Sequence, residues 1–163
     1  MQEVVIYTDG ACRGNPGPGG YGVILSYTAG QKEYRKEMSA GYRNTTNNRM
    51  EVLAAITGLE ALKAPCRVRL YSDSQYLVKA FEEKWVDKWR ANDWYRDKKR
   101  KEKAKNVDLW KRLLAAMEPH EVTFIWVKGH AENAGNNRCD ELAVQAALDQ
   151  DAWLEDIEVE KEG

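Results

Sequence analysis

Cysteine is scarce in this 163-residue chain: Cys12, Cys66 and Cys139 are odd in number and far apart. That excludes a disulfide framework and fits free thiols in a reducing compartment, so a cytoplasmic location is expected. No pair among these cysteines and the two histidines has the short spacing of a zinc site. No apolar run approaches the roughly 18 residues that a membrane helix needs, so no membrane association is expected. The start of the chain lacks the basic, apolar and cleavable segments of a signal peptide, entering a strand-like run, Val4-Val5-Ile6-Tyr7, at once. There is no internal repeat and no low-complexity linker. The Gly/Pro loop at 14–20 is not followed by Lys-Ser or Lys-Thr and a helix, which argues against nucleotide binding there. The net charge is only −1, so the protein is not uniformly basic.

What is present is a chain with 43% apolar and 31% charged residues, the mix of a single globular domain with a core. The expected domain spans residues 1–150, and 151–163 is expected to be a flexible acidic end. Charge is unevenly spread. Residues 82–105 carry ten Lys/Arg against six Asp/Glu, whereas 149–163 carries seven Asp/Glu and one Lys. A local basic region suits a polyanionic partner; a solvated helix face is the plainer reading of charge alone. With no exposed apolar stripe demanding a partner, a monomer is expected.

Pattern along the chain predicts β-β-β-α-β-α-α-β-α. Strands are expected at 4–8, 21–28 and 33–40, joined by turns at 14–20 and 29–30. The period then becomes helical over 49–63, with cap chemistry in Thr45-Thr46-Asn47-Asn48 and Pro65 after the end. A strand at 68–71, a helix at 75–84, a short helix with a projecting loop over 85–105, a helix at 107–117, a strand at 122–127 and a helix at 138–148 complete the series. A meander followed by strand–helix alternation implies a mixed α/β sheet of five strands, three antiparallel and two parallel, with helices on both faces. Right-handed crossovers put the strand before Asp73 beside the strand before Asp9.

Asp9 and Asp73 each end a short buried strand, where sites form in open α/β sheets. Singly, Asp-Gly is a common turn and Asp-Ser a common helix start. Glu51 shares a helical stripe with Ala55, Gly58 and Leu62, and Asp140 one with Ala143, Val144 and Ala147. Each places a carboxylate on a face meant for the sheet, where it needs a partner charge or a metal. Glu141 fits its helix periodicity less well. Four carboxylates meeting at one sheet edge call for a divalent cation, Mg²⁺ or Mn²⁺ by ligand type, and two such ions can support phosphodiester hydrolysis.

Several blocks carry a resemblance: Tyr7-Thr8-Asp9-Gly10, Gly14-Asn15-Pro16-Gly17-Pro18-Gly19-Gly20-Tyr21-Gly22, Thr45-Thr46-Asn47-Asn48-Arg49-Met50-Glu51, Ser72-Asp73-Ser74-Gln75-Tyr76, Asn106-Val107-Asp108-Leu109-Trp110, Trp126-Val127-Lys128-Gly129-His130 and Arg138-Cys139-Asp140-Glu141-Leu142-Ala143. In order and spacing, over residues 3–148, the chain resembles bacterial ribonuclease H of type 1. The resemblance implies the ribonuclease H-like fold and an endonuclease that cuts the RNA strand of RNA–DNA hybrids, leaving 5′-phosphate and 3′-hydroxyl ends. It implies Asp9, Glu51, Asp73 and Asp140 as ligands of two Mg²⁺ ions, Mn²⁺ being the other candidate metal, with Asp73 also orienting the attacking water. His130 would assist proton transfer or product departure.

By the same resemblance Gly10, Cys12, Asn15, Asn47 and Gln75 touch the RNA strand, largely at the 2′-hydroxyls or in the minor groove. Thr46 and Asn106 hold a DNA phosphate, a contact that carries no sequence information, so cutting is expected to be largely sequence-independent. Residues 85–105 match the family's basic protrusion, in which Trp85, Trp89, Arg90 and Trp94 meet the DNA strand; core packing is the competing role for the tryptophans. One departure is Asn137, which stands where a bacterial relative has a glutamate near the metal site.

Overall fold

The computed structural model describes residues 1–128 and 133–162. Five strands, β1 (Gln2–Cys12), β2 (Gly17–Ala29), β3 (Lys32–Thr45), β4 (Cys66–Ser72) and β5 (Glu121–Trp126), form one sheet in the order β3-β2-β1-β4-β5. The first three are an antiparallel meander, and β1, β4 and β5 run parallel. This is the expected mixed sheet, with the strands leading to Asp9 and Asp73 side by side.

Alternation along β1 assigns its neighbours to opposite faces. Ile6 meets Gly58 of helix α1 (Asn47–Glu60), where a Cβ would lie 2.8 Å from Ile6 Cγ2. Tyr7 points the other way and covers Gly135 of helix α5 (Ala134–Leu148), where a Cβ would fall 2.5 Å from the ring. The first face carries the core. Val4, Ile6, Val23, Met50, Ile56, Leu59, Leu70 and Leu77 are buried there with Trp110 and Leu113 of helix α4 (Val107–Met117). Each such aliphatic side chain contributes about 1.5–3 kcal/mol by leaving water. Phe81 of helix α2 (Gln75–Glu82) stacks on Phe124 of β5 with centroids 4.5 Å apart, closing that edge. The basic segment is helix α3 (Trp85–Ala91) followed by a loop tied by an isolated bridge between Tyr95 and Lys103.

Two expectations change. The glycine cluster at 14–20 is only partly a turn, because Gly17–Gly20 already belongs to β2. Gly20, and Gly22 beyond the cluster, serve packing: a Cβ at Gly20 would lie 2.6 Å from Ala143 O, and one at Gly22 2.2 Å from Cys139 O, so α5 rests directly on the strand.

The end of the chain, expected to be free, is folded back. Leu154 pairs with β3, its N–H donating to Gly41 O (2.8 Å) and its carbonyl accepting from Arg43 N–H (3.0 Å). Trp153 Nε1 donates to Ala147 O, Val159 is buried, and helix α6 (Ile157–Glu162) follows. Acidic composition suggested a solvated end, but Asp156 finds a buried cation, Arg49, and Trp153 packs by Gly41 of β3 and Ala147 of α5.

Candidate active site

At the carboxyl ends of β1 and β4 the backbone is held closely. Thr8 Oγ1 donates to Tyr71 O (3.1 Å), tying the two strands. Gly10 has no side chain because α1 passes over it: a Cβ would lie 2.8 Å from Glu51 N. This close approach brings Glu51 over the end of β1 beside Asp9. On β4, Ser72 Oγ accepts from Ser74 N–H, and Ser74 Oγ caps α2 by accepting from Leu77 N–H (3.1 Å), which fixes the turn bearing Asp73. From the other face, Asn136 Nδ2 donates to Thr8 O (3.0 Å) and holds the start of α5 against β1, so that Asp140 projects toward the same place.

The four carboxylates line one cleft of about 350 Å³. Oxygens of Asp9, Glu51 and Asp73 all lie within 4.8 Å of one another. Asp9 and Glu51 are 3% exposed, too little for water to screen them. Asp9 Oδ1 accepts from Gly10 N–H (3.0 Å), but its Oδ2 and Glu51 Oε2 are buried with no donor reaching them among the described residues. Burial pushes the Asp9 carboxyl from its ordinary 3.8 up to about 10, reinforced by the charges of Glu51 and Asp73 and by Asp140. Glu51 is raised as well, by burial first and then by Asp73. Buried oxygens without donors, in a nest of like charge, suit a hard divalent cation, which would satisfy both deficits at once.

Comparison with known proteins decides the family. The family model described as RNase H matches residues 1–148. A ribonuclease H of Syntrophus aciditrophicus is 61% identical over 147 residues, covering 90% of this chain and 82% of the relative. One of Lachnoclostridium phytofermentans is 63% identical, covering 89% and 92%. The chain belongs to the RNase H family. Among solved structures, LC9-RNase H1, described as a type 1 RNase H with the type 2 active-site motif, superposes with a TM-score of 0.82 at 30% identity, covering all of this chain and 82% of that one. The foamy viral protease-reverse transcriptase in complex with an RNA/DNA hybrid shares the fold, with a TM-score of 0.73 at 20% identity over 90% of this chain and 20% of that one. RNase H enzymes are divalent-metal-dependent hydrolases of RNA in RNA–DNA hybrids.

Around this RNase H cleft the other sequence candidates fall into two groups. Gly10, Asn47 and Gln75 line the carboxylate cleft itself. Asn15 Oδ1 accepts from Asn47 N–H (3.2 Å), bracing one against the other. Cys12 is half-buried, its Sγ directed at Gly17 O and Thr45 O. The second group surrounds an adjoining cleft of about 530 Å³ lined by Asn48, Tyr76, Trp85, Trp89, Arg96, Lys105 and Asn106. Thr46 caps α1, its Oγ1 accepting from Arg49 N–H (3.2 Å). Trp85 and Trp89 lie 6.2 Å apart between rings and are half-buried against the core, so they serve packing and present a surface together. Arg90 is exposed on α3. Trp94 is half-buried, with Lys111 Nζ 5.8 Å from its centroid.

His130 lies outside the described residues. Glu141 is on the surface, paired with Arg138 at 2.8 Å. Val144, placed on the buried stripe with Asp140, is 41% exposed, while Ala143 and Ala147 are buried. Asn137 Oδ1 is buried without a hydrogen-bond partner among the described residues. Reasoning from sequence missed Asn136 and Arg49 as organisers of the site. Arg49 sits inside a quoted motif, and a cation so close to a capping segment was the signal for it. Asn136 had none, since its role depends on a strand carbonyl 128 positions away.

Proposed function

We propose that this chain is an endonuclease that hydrolyses the RNA strand of RNA–DNA hybrids, with Asp9, Glu51, Asp73 and Asp140 holding two Mg²⁺ ions, Mn²⁺ being the alternative. The observation that carries this is a buried acidic cluster: a carboxylate oxygen from each of Asp9, Glu51 and Asp73 lies within 4.8 Å of the others, and Asp9 Oδ2 and Glu51 Oε2 are buried with no donor among the described residues. The chemistry supplied by the bound ions is activation of water and neutralisation of the charge on the leaving 3′ oxygen, which yields 5′-phosphate and 3′-hydroxyl ends. Asp73, half-buried at the open side of the cluster, orients the attacking water. His130 assists proton transfer or departure of the product.

Substrate lies across both clefts. Gly10, Cys12, Asn15, Asn47 and Gln75 face the RNA strand and read its 2′-hydroxyls. Thr46 and Asn106 hold a DNA phosphate, and Trp85, Trp89, Arg90 and Trp94 carry the DNA strand onward over the basic protrusion, pairing flat apolar surface with cations. Because these contacts are with backbone and sugar, cutting is largely sequence-independent. The protein works as a monomer in the cytoplasm; its three free thiols fit that location, and no helix among the described residues is long and apolar enough to cross a membrane.

The deciding experiment is one gel comparing labelled RNA–DNA hybrid, duplex DNA and duplex RNA with Mg²⁺. Cutting is expected in the RNA strand of the hybrid alone; comparable cutting of duplex DNA would refute the proposal. A kinetic prediction accompanies it. Lys98, Lys99 and Lys101 are exposed on the protrusion, and reversing all three to Glu should raise KM by about tenfold or more at moderate salt, with kcat within about twofold. An unchanged KM would remove the protrusion from substrate binding.

A further inference from the structure

Arg49 is a fully committed side chain. Its side chain is 3% exposed, and each of its five N–H groups has an acceptor. Nε and Nη2 form a fork on Asp156 (2.7 and 3.0 Å). Nη2 and Nη1 form a second fork on Asp108 (2.6 and 2.9 Å). The remaining Nη1 proton goes to Asn106 Oδ1 (3.2 Å). Two bidentate carboxylates fix a guanidinium in position and in plane, which one carboxylate on a rotatable side chain does less well.

What that plane fixes is Asn106. Its backbone is in the left-handed region (φ +60°) at the start of α4, and its amide oxygen is turned inward to Arg49. The amide nitrogen is therefore turned outward, donating to Tyr76 OH (3.0 Å) at the wall of the larger cleft. Asp156 has a second hold on the same place, because Oδ2 also accepts from Thr45 Oγ1 (2.7 Å). Thr45 and Arg49 flank the capping residue Thr46 on either side, and Thr46 Oγ1 is occupied by Arg49 N–H. Asp156 itself is 9% exposed and arrives from the returning end of the chain, not from the domain that forms the cleft walls.

We propose that Asp156 is a positioning residue for the nucleic acid: through Arg49 it fixes the orientation of Asn106 and the backbone at Thr46, and so sets the affinity for a phosphate of the DNA strand. The folded-back end of the chain is thereby part of the substrate-binding apparatus, without touching substrate. This rests on the reading of Thr46 and Asn106 as the phosphate pocket.

The test is a set of variants assayed for kcat and KM on hybrid with Mg²⁺, together with their melting temperatures. Asp156→Asn keeps the shape and the Leu154 pairing that docks the segment, but loses the charge. It is expected to raise KM about tenfold with kcat within about twofold. Asp156→Glu, which restores the charge one methylene out of place, should recover part of that loss. Ile56→Val, a core change remote from the pocket, should lower the melting temperature without moving KM. Combining Asp156→Asn with Asn106→Ala should cost no more than Asn106→Ala alone, because the two act in series. A direct readout is the side-chain amide resonance of Asn106, expected to shift in Asp156→Asn. Additive KM effects, an unmoved Asn106 resonance, or an equal KM rise in Ile56→Val would each overturn the positioning role. If Asn106→Ala itself leaves KM unchanged, the phosphate pocket is wrong; if Asn106→Ala raises KM and Asp156→Asn does not, the pocket stands and only the role of Asp156 fails.

Discussion

Replacing Asp9 with Asn will abolish cleavage, by about a thousandfold or more, and at the same time raise the melting temperature of the metal-free protein. The loss follows from the position of Asp9, which lies between Glu51, Asp73 and Asp140 and contributes one of the two orphaned oxygens; an amide at that point offers a weaker ligand and no charge. The gain follows from the same crowding. In the folded metal-free protein this carboxyl holds its proton up to about pH 10, whereas unfolded it releases it near its ordinary 3.8. The folded state therefore binds more protons than the unfolded one between those values, so metal-free stability falls as pH rises through that window. Asn carries no such proton and removes Asp9's share of the slope, with a benefit on the order of 1–3 kcal/mol near neutral pH. Melting curves with chelator from pH 5 to pH 9 should converge at the acid end and separate at the alkaline end. Mg²⁺ should raise the melting temperature of the parent more than that of the variant. A variant that cuts within about tenfold of the parent rate would remove Asp9 from the ligand set.

The second large effect concerns a residue that touches no substrate. Gly22→Ala places a methyl 2.2 Å from Cys139 O and 2.8 Å from Leu142 Cβ, and both belong to α5. The first obstacle is backbone, so α5 must retreat by about 1 Å to reach ordinary contact. Overpacking of this kind costs about 3 kcal/mol. Because Asp140 follows Cys139 directly, the carboxylate retreats too, and kcat should fall by about tenfold to a hundredfold. Gly30→Ala is the contrast. Gly30 has a positive φ (+65°) and nothing within 4 Å of the added carbon, so the change costs about 1 kcal/mol of turn strain and leaves kcat as it was. If Gly22→Ala keeps its full kcat, the height of α5 above β2 does not set the position of Asp140.

These two residues show what the sequence could and could not convey. Asp9 was legible because two adjacent parallel strands carry Asp-Gly and Asp-Ser just past the end of their pairing, which puts two carboxylates at one edge, although β1 does not stop at Asp9 as expected and runs on to Cys12. Glu51 was legible from helical period, and Gly58 on its stripe does meet Ile6 of the sheet. Helix α4, at Val107–Met117, lies over the span expected of it. Gly22 was placed in its strand, but the glycines just before it, at 17–20, were misleading in kind: a run of glycines and prolines has the chemistry of a turn, yet this half of it is strand, with Gly20 directly under a helix more than a hundred residues later. Helix α5 begins at Ala134, not at 138, because Asn133 caps it by accepting from Asn136 N–H (3.1 Å), ahead of the apolar stripe that betrayed the helix. The end of the chain was misjudged for a related reason. Its carboxylates suggest hydration until one of them, Asp156, is matched with an arginine 107 positions earlier.

The cleft draws on three layers: Asp9 and Asp73 from the sheet, Glu51 from the helix above it, Asp140 from the helix below. Asp140 reaches the cleft only through the packing of α5 on β1 and β2, on the face of the sheet away from α1. The acidic set is therefore complete only when both faces of the sheet are covered, so loosening either helix layer disperses the carboxylates.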